Sequence, residues 1–372
     1  MKWISFFATK AFVALHIFYT PILAHADAPP SYRMQHPLAW MHDLPTGEQP
    51  GWSQPWWINF EVSSGNTWNA PLIMNDLRNG KQYEYMADFE QAHAILEIGK
   101  SIGNNFSIAA EIPYAYRDGG AMDDAIDSFH VLIGNRRFNR QYYPKNQNIF
   151  SVKTDGTDYF EDTSYKGGVA NVSLKLKYWI LKWMGKQKDS CPCGLAVSTQ
   201  TKFPLQNEKM GGTSGHVDQS LLLHLGAPIF SASSMWLTAG YTWLGDNPAI
   251  KEWPRKNHIV MYELNFDFSV AQKWGLIMSA RAESPFLNED DLEYYDASSD
   301  PYVRARNRSA SGWNSLVYWR GTQAIGLRYK TNAGNTWQFL IAEDWGIGPF
   351  DSKDNFYSSG APDVNFVLQT QF

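Results

Sequence analysis

Twelve segments of the chain alternate apolar and polar residues with period two: 56–64, 90–100, 105–117, 171–182, 194–205, 217–227, 234–244, 258–269, 274–284, 322–331, 335–345 and 362–372. That period marks strands whose two faces meet different surroundings. The connections alternate in length as well. Residues 101–104, 183–193, 228–233, 270–273 and 332–334 are short turns, whereas 118–170, 206–216, 245–257, 287–321 and 346–361 are mostly longer loops. A soluble sandwich has no reason to sort its connections this way. An even-stranded barrel does, with short turns on the periplasmic side and long loops outside. The pattern predicts an all-β, transmembrane antiparallel barrel of about 12 strands over residues 56–372.

The two faces carry different chemistry. Trp56, Phe106, Tyr178, Phe268, Trp274, Tyr329, Trp337 and Phe372 fall on the predicted lipid face near the short-turn ends. Tyr114, Tyr116, Phe203, Tyr241, Trp243 and Tyr262 do the same near the long-loop ends, and two aromatic girdles at headgroup level are expected of such a barrel. The opposite parity turns Glu61, Glu97, Glu111, Arg117, Lys175, Lys177, Lys202, His224, Glu263, Asp267, Arg281, Glu283, Arg328 and Lys330 toward the lumen. A charge facing lipid at mid-membrane costs about 2–4 kcal/mol, so energy agrees with parity. Two readings of these charges stand side by side. They form a salt-bridge network that fills the lumen and holds the barrel's shape, or a polar constriction that selects a solute.

The loop after the third strand is too long to be only a connector. Residues 122–133 read as a short amphipathic helix in this extracellular loop, with Ile126, Phe129, His130 and Ile133 at helical spacing. Such a helix covers the barrel mouth or lies across its wall. Asp123, Asp124 and Asp127 near its start suit the helix dipole and are an unspecific metal signal.

The start of the chain assigns the compartment. Lys2 and Lys10 bracket a basic region, Ala11–Leu23 is apolar, and Ala24-His25-Ala26 forms a signal-peptidase site, so residues 1–26 read as a signal peptide. Residues 27–55 then read as a periplasmic N-terminal segment. The final stretch, Val364 to Phe372, alternates and closes on Phe, resembling the signal read by the barrel-insertion machinery. The mean hydropathy of -0.39 would suggest a soluble protein, but lumen-facing residues hide a barrel's apolar content from such averages.

Signals of other chemistry are sparse. Gly212-Thr213-Ser214-Gly215-His216 lacks the strand-to-helix turn of a nucleophile elbow. No phosphate loop, dinucleotide fingerprint or zinc spacing appears, so no cofactor is expected. The net charge of -5 gives no reason to invoke nucleic acid. Cys191-Pro192-Cys193 sits in a predicted turn, and a pair this close is expected to make a poor disulfide; a strained disulfide or a weak soft-metal site are the alternatives.

With these segments in place, the chain resembles a bacterial outer-membrane family known as domain of unknown function 3187. The resemblance rests on Tyr32-Arg33-Met34-Gln35-His36-Pro37-Leu38, Leu44-Pro45, Glu111-Ile112-Pro113, Asp124–His130, Lys202-Phe203-Pro204, Ser214–Asp218, Glu343-Asp344 and Pro362–Phe366. After Phe129-His130 a Gly-Leu-Pro turn of the family is replaced by Ile133-Gly134-Asn135-Arg136. The resemblance implies a barrel and brings no activity. The residues themselves favour an outer-membrane barrel acting as a passive channel or transporter for a small solute of unspecified identity. The alternatives are a structural or adhesive barrel working through its surface loops and, behind it, a lipid-modifying enzyme. The expected surroundings are outer-membrane lipid and lipopolysaccharide.

Overall fold

The computed structural model describes residues 37–371 except 53–54, 121, 125–127, 129–130, 132–141, 163–166, 183–192, 207–212, 231–232, 301–302, 305–306, 309–310, 333–334, 348–355 and 359–362. The strands are β1 (Trp56–Asp76), β2 (Gln82–Ile102), β3 (Phe106–Asp118), β4 (Ile149–Thr154), β5 (Thr157–Asp162), β6 (Gly168–Val169), β7 (Asn171–Lys182), β8 (Gly194–Pro204) and β9 (Asp218–Phe230). They continue as β10 (Ser233–Trp243), β11 (His258–Ser269), β12 (Trp274–Glu283), β13 (Leu292–Tyr295), β14 (Trp319–Lys330), β15 (Thr336–Ile347), β16 (Phe356–Ser358) and β17 (Asp363–Gln371). The short helices α1 (Pro37–Met41) and α2 (Trp313–Val317) form no part of the wall.

The wall consists of β1, β2, β3, β7, β8, β9, β10, β11, β12, β14, β15 and β17, paired antiparallel in that order. β17 returns to β1 from Trp57 opposite Gln371 to Ser64 opposite Val364, so the ring closes without an edge. Among the described residues this is the expected 12-stranded transmembrane barrel. Alternation decides which face each side chain takes. On β7, Ser173, Lys175 and Lys177 are buried while Leu174, Leu176 and Tyr178 are exposed. Trp56, Phe106, Tyr114, Tyr116, Trp243, Tyr262 and Trp274 are exposed on the outer face, as the girdle reading requires.

Two features lie beyond the wall. β1 and β2 continue well past the ends of their neighbours, pairing from Leu72 with Tyr85 to Asn75 with Gln82 beyond a register shift between Asn69 and Leu72. β4 adds to the extended part of β2, β5 adds to β4, and β13 adds to the tip of β1. The inner face of this extension carries Leu72, Met74, Tyr83, Tyr85, Ala87 and Phe89, which pack with Phe150, Val152, Phe286, Leu287, Trp313, Leu316 and Val317 in one apolar cluster. This cap stands at the long-loop end.

The second feature is the segment that precedes β1, read from the sequence as a periplasmic N-terminal segment over 27–55 and described here from residue 37. Leu38, Ala39, Met41 and Leu44 are buried and join the cap's cluster from below, and His42 and Asp43 are buried too. The reason is local. Pro37 begins α1, where its missing N–H costs nothing, and Asp43 ends the turn in the left-handed region (φ 46°) that Asp tolerates. Pro45 then prevents helix from resuming. The result is a compact knob with apolar and polar sides, which the lumen can hold.

Two smaller expectations also meet the structure. Of the loop segment 122–133, Asp123, Asp124, Ser128 and Val131 are helical, while Ile126, Phe129, His130 and Ile133 lie outside the described residues. Cys193 is disulfide-bonded, so a disulfide and not a soft-metal site is its state; Cys191 lies outside the described residues.

Candidate functional site: the plugged lumen

Of the residues that parity turned toward the lumen, Glu61, Glu111, Arg117, Lys175, Lys177, Lys202, His224, Glu263, Asp267, Arg281, Glu283 and Arg328 are buried, and Glu97 and Lys330 are half-buried. They do not form one ring. The structure sorts most of them into three groups.

The first group centres on Lys175 of β7. Its ammonium lies 2.6 Å from Glu97, 2.8 Å from Glu111 and 2.9 Å from Glu48. Glu97 and Glu111 stand directly opposite each other on β2 and β3, a like-charge pairing that is unfavourable unless a cation sits between them. Lys177 lies 2.6 Å from Glu48 and donates to the Gln49 carbonyl at 3.0 Å. Burial alone would push Glu48 up, but Lys175 and Lys177 hold its carboxyl well below the usual carboxylate range.

The second group lies toward the long-loop end. Lys202 of β8 sits 2.5 Å from Asp218 of β9 and donates to the Met41 carbonyl at 2.9 Å and to Ser214 Oγ. His42 Nδ1 lies 3.1 Å from the same Asp218 carboxylate. Burial pushes the His42 imidazole below its ordinary value, and Asp218 offsets this only in part. The Ser214 amide donates to Met41 O at 2.9 Å, so a loop backbone also holds the knob. Ser214, in the stretch that lacks a nucleophile elbow, is thus a structural contact of this seat.

The third group is on the facing wall. Arg281 of β12 bonds Glu263 (3.0 Å) and Glu283 (2.6 Å), and Glu283 also accepts from Arg320 at 2.6 Å. Asp267 and Arg328 pair beside them at 2.7 Å.

Residues 38–49 join these groups. The Gly47 amide donates to Glu263 at 2.9 Å, while the next residue, Glu48, turns to Lys175 and Lys177 on the other wall. Consecutive residues therefore span the lumen. A Cβ at position 47 would come within 2.6 Å of Glu263 Oε1, so only Gly fits there without displacing that carboxylate. Higher up, Trp40 stacks on His93 of β2 with ring centroids 3.4 Å apart, and Asp43 accepts from Ser173. Below, Pro50 and Trp236 both lie against Gly226, and Gly51 packs on Trp179. None of these contacts is strand pairing: the segment is held by side chains and stray backbone groups. One further polar line crosses the wall, from Ser198 Oγ to His224 Nε2 (2.7 Å) and from His224 Nδ1 to Thr238 (3.1 Å). It gives both ring nitrogens a partner.

Sequence reasoning missed Glu48, His42, Asp43, Asp218 and Arg320. Asp218 shares the inward parity of His224 and was visible on that ground. Glu48 and His42 carry no period, and Arg320 was read as loop. Asp123 and Asp124, the unspecific metal signal, are engaged otherwise. Asp123 accepts from Asn66 (3.1 Å) and the Asn146 amide (2.6 Å), and Asp124 pairs with Lys145.

A family model described as a protein of unknown function, DUF3187, matches residues 49–304. No curated protein matches the sequence. Among solved structures the chain is similar to an outer membrane channel from Pseudomonas putida F1, with a TM-score of 0.44 and 8% identity over 86% of this chain and 96% of that one. It is similar also to the NanC porin (TM-score 0.38, 8% identity, 84% of this chain and 100% of that one). A third likeness is to the translocator domain of the autotransporter NalP from Neisseria meningitidis (TM-score 0.36, 9% identity, 86% and 89%).

Proposed function

We propose, for a chain that belongs to the DUF3187 family, the role of a passive outer-membrane channel or transporter for a small solute, closed at rest by its own residues 38–49. The observation that carries this reading is the manner in which those residues are held. They fill the lumen through ion pairs and single hydrogen bonds to both walls and add no strand to either. A barrel that needed only a rigid interior would be served by side chains paired strand to strand along the wall, as Arg281 and its neighbours are. A removable segment whose anchors are charges of the wall instead makes a gate, because displacing it leaves the ring hydrogen bonds intact and uncovers charges that bind ions and polar solutes.

In the closed state Lys175, Lys177 and Lys202 are neutralised by Glu97, Glu111, Glu48 and Asp218. Withdrawing residues 38–49 removes Glu48 and frees cationic character on the β7–β8 side, while Glu263 loses the Gly47 amide on the other. The open lumen is then lined by unlike walls. Solute enters from the long-loop end, which faces outward, and leaves at the short-turn end.

Liposome swelling tests the proposal with two proteins, the mature chain and one lacking residues 38–49. Swelling in small sugars or organic acids should be slow with the first and fast with the second. Equal, slow swelling for both, with both barrels folded and heat-modifiable on gels, would favour a structural or adhesive barrel instead.

A further inference from the structure

The wall of β7 and β8 meets the lumen segment with a column of donors. Lys177 lies opposite Ser198, Lys175 opposite Gln200 and Ser173 opposite Lys202, so these inward side chains climb from the short-turn side toward the long-loop end. At the bottom Lys177 sits 2.6 Å from Glu48 Oε2 and donates to the Gln49 carbonyl at 3.0 Å. Lys175 lies 2.9 Å from the other oxygen, Glu48 Oε1. Higher up, Gln200 Nε2 donates to the Asp43 carbonyl at 3.3 Å and Ser173 to the Asp43 carboxylate. At the top Lys202 donates to the Met41 carbonyl at 2.9 Å. Every segment atom named here is an oxygen. Residues two apart on a strand stand about 6.6 Å apart, so the column from Lys177 to Ser173 is about 13 Å long.

The charges say what can replace the segment. Lys175 keeps Glu97 and Glu111 on the wall, and Lys202 keeps Asp218. Lys177 is different: among the described residues its ion pair and its hydrogen bond are both with the segment. Once the segment leaves, this buried ammonium needs a counter-ion, and one carboxylate between Lys177 and Lys175 supplies it, where the two oxygens of Glu48 now stand. A second full negative charge finds no cation left to meet, because the wall carboxylates already take Lys175 and Lys202. Gln200, Ser173 and Lys202 then ask for uncharged acceptors. Across the lumen Glu263 loses the Gly47 amide and asks for a donor. Hydroxyl groups meet both demands, since each can accept on one side and donate on the other.

We infer that residues 41–49 stand in for the solute, and that the β7–β8 column binds a small polyhydroxylated monocarboxylate, a sugar acid, which displaces the segment by taking the place of the Glu48 carboxylate. The space for it is the space the segment fills. The inference rests on the channel reading, because it names that channel's solute. Binding, however, is measured at equilibrium and requires no conductance.

The test is isothermal titration of the full mature chain refolded in detergent, with sodium gluconate as the probe. Sorbitol, which lacks the carboxylate, and sodium acetate, which lacks the hydroxyls, are the controls. Glu48→Gln removes the internal competitor and should bind gluconate at least about tenfold more tightly than the parent, the usual worth of hydrogen bonds to a charged group. Each control should bind that variant at least about tenfold more weakly than gluconate does. Adding Lys177→Gln should weaken gluconate about tenfold or more. A second measurement needs none of these variants: in an Ala39→Cys chain, gluconate should speed the reaction with a thiol reagent and sorbitol should leave it unchanged. No gluconate binding to Glu48→Gln, equal binding of gluconate and either control, indifference to Lys177→Gln, or an Ala39→Cys rate that gluconate does not alter would overturn the inference. Absent binding in a barrel that conducts once residues 38–49 are deleted refutes the site and spares the channel. Specific binding in a barrel that stays silent after that deletion refutes the channel and spares the site.

Discussion

Lys175→Gln removes a cation shared by three carboxylates, at 2.6 Å from Glu97, 2.8 Å from Glu111 and 2.9 Å from Glu48. The side chains are 8% exposed at Lys175 and 12%, 2% and 22% exposed at the respective acids, so solvent screens the loss only weakly. Breaking one side of a buried ion pair costs about 3–5 kcal/mol. The three contacts do not add, because they belong to one network and the acids relieve one another by taking up a proton. Lys177 also still holds Glu48 at 2.6 Å. The expected loss is therefore about 3–5 kcal/mol in total, most of it from Glu97 and Glu111 facing each other across β2 and β3. Urea unfolding of the refolded barrel in micelles, followed by tryptophan fluorescence at pH 8, reads it directly. The triple variant Lys175→Gln, Glu97→Gln, Glu111→Gln should recover most of the stability, since it removes the repulsion along with the cation. A single variant that loses less than about 1 kcal/mol, together with a triple variant no more stable than the single, would refute the electrostatic account of this wall.

Three further outcomes follow from the same structure. His42 is seated with its proton affinity lowered, so it resists a proton that an unseated His takes below about pH 6.5; Glu48 keeps its contribution above about pH 4.3 and loses it only as pH falls through its depressed value. Both signs say that acid loosens the segment: an Ala39→Cys probe should react with a thiol reagent faster at pH 5 than at pH 7.5, His42→Gln should flatten the difference, and a pH-independent rate would contradict it. Asn79→Cys at the tip of the β1–β2 extension and Asp290→Cys before β13 should both be labelled by a membrane-impermeant reagent in intact cells, whereas labelling only after the outer membrane is opened would invert the orientation. Native protein should take up no alkylating agent until reduced, and then two equivalents, matching the bond at Cys193; uptake before reduction would remove that bond from the account.

Much of the wall was legible because a barrel strand faces lipid on one side and a polar lumen on the other, which writes period two into the chain. β7 and β11 have the bounds that alternation gave, and most others agree within about two or three residues. β1 and β2 were cut short, at 64 and 90, because Gly65, Asn66 and Thr67 are buried in succession and break the alternation, and Pro71 follows in the register shift between Asn69 and Leu72. Beyond it the extension faces its own apolar cap on one side, so its pattern no longer reports membrane and lumen. The charges of the candidate site were legible by parity, but their partners were not. Glu48 meets Lys175 and His42 meets Asp218 across more than a hundred residues of chain, and no local period records such contacts. The segment did carry one readable warning. Leu38, Trp40, Met41 and Leu44 within seven residues are too apolar for a solvated linker.

The central claim is that residues 38–49 close the lumen, and one measurement tests it most directly. Met41 and Ser214 meet backbone to backbone at 2.9 Å, so a Met41→Cys, Ser214→Cys pair in a Cys191→Ser, Cys193→Ser background should cross-link the segment to the wall. Planar-bilayer conductance of this one protein is recorded oxidised and then after reductant is added. The account predicts a silent membrane while the bond is intact and discrete openings once it is cut. The same trace before and after reduction, with cross-linking verified on a gel, would contradict it.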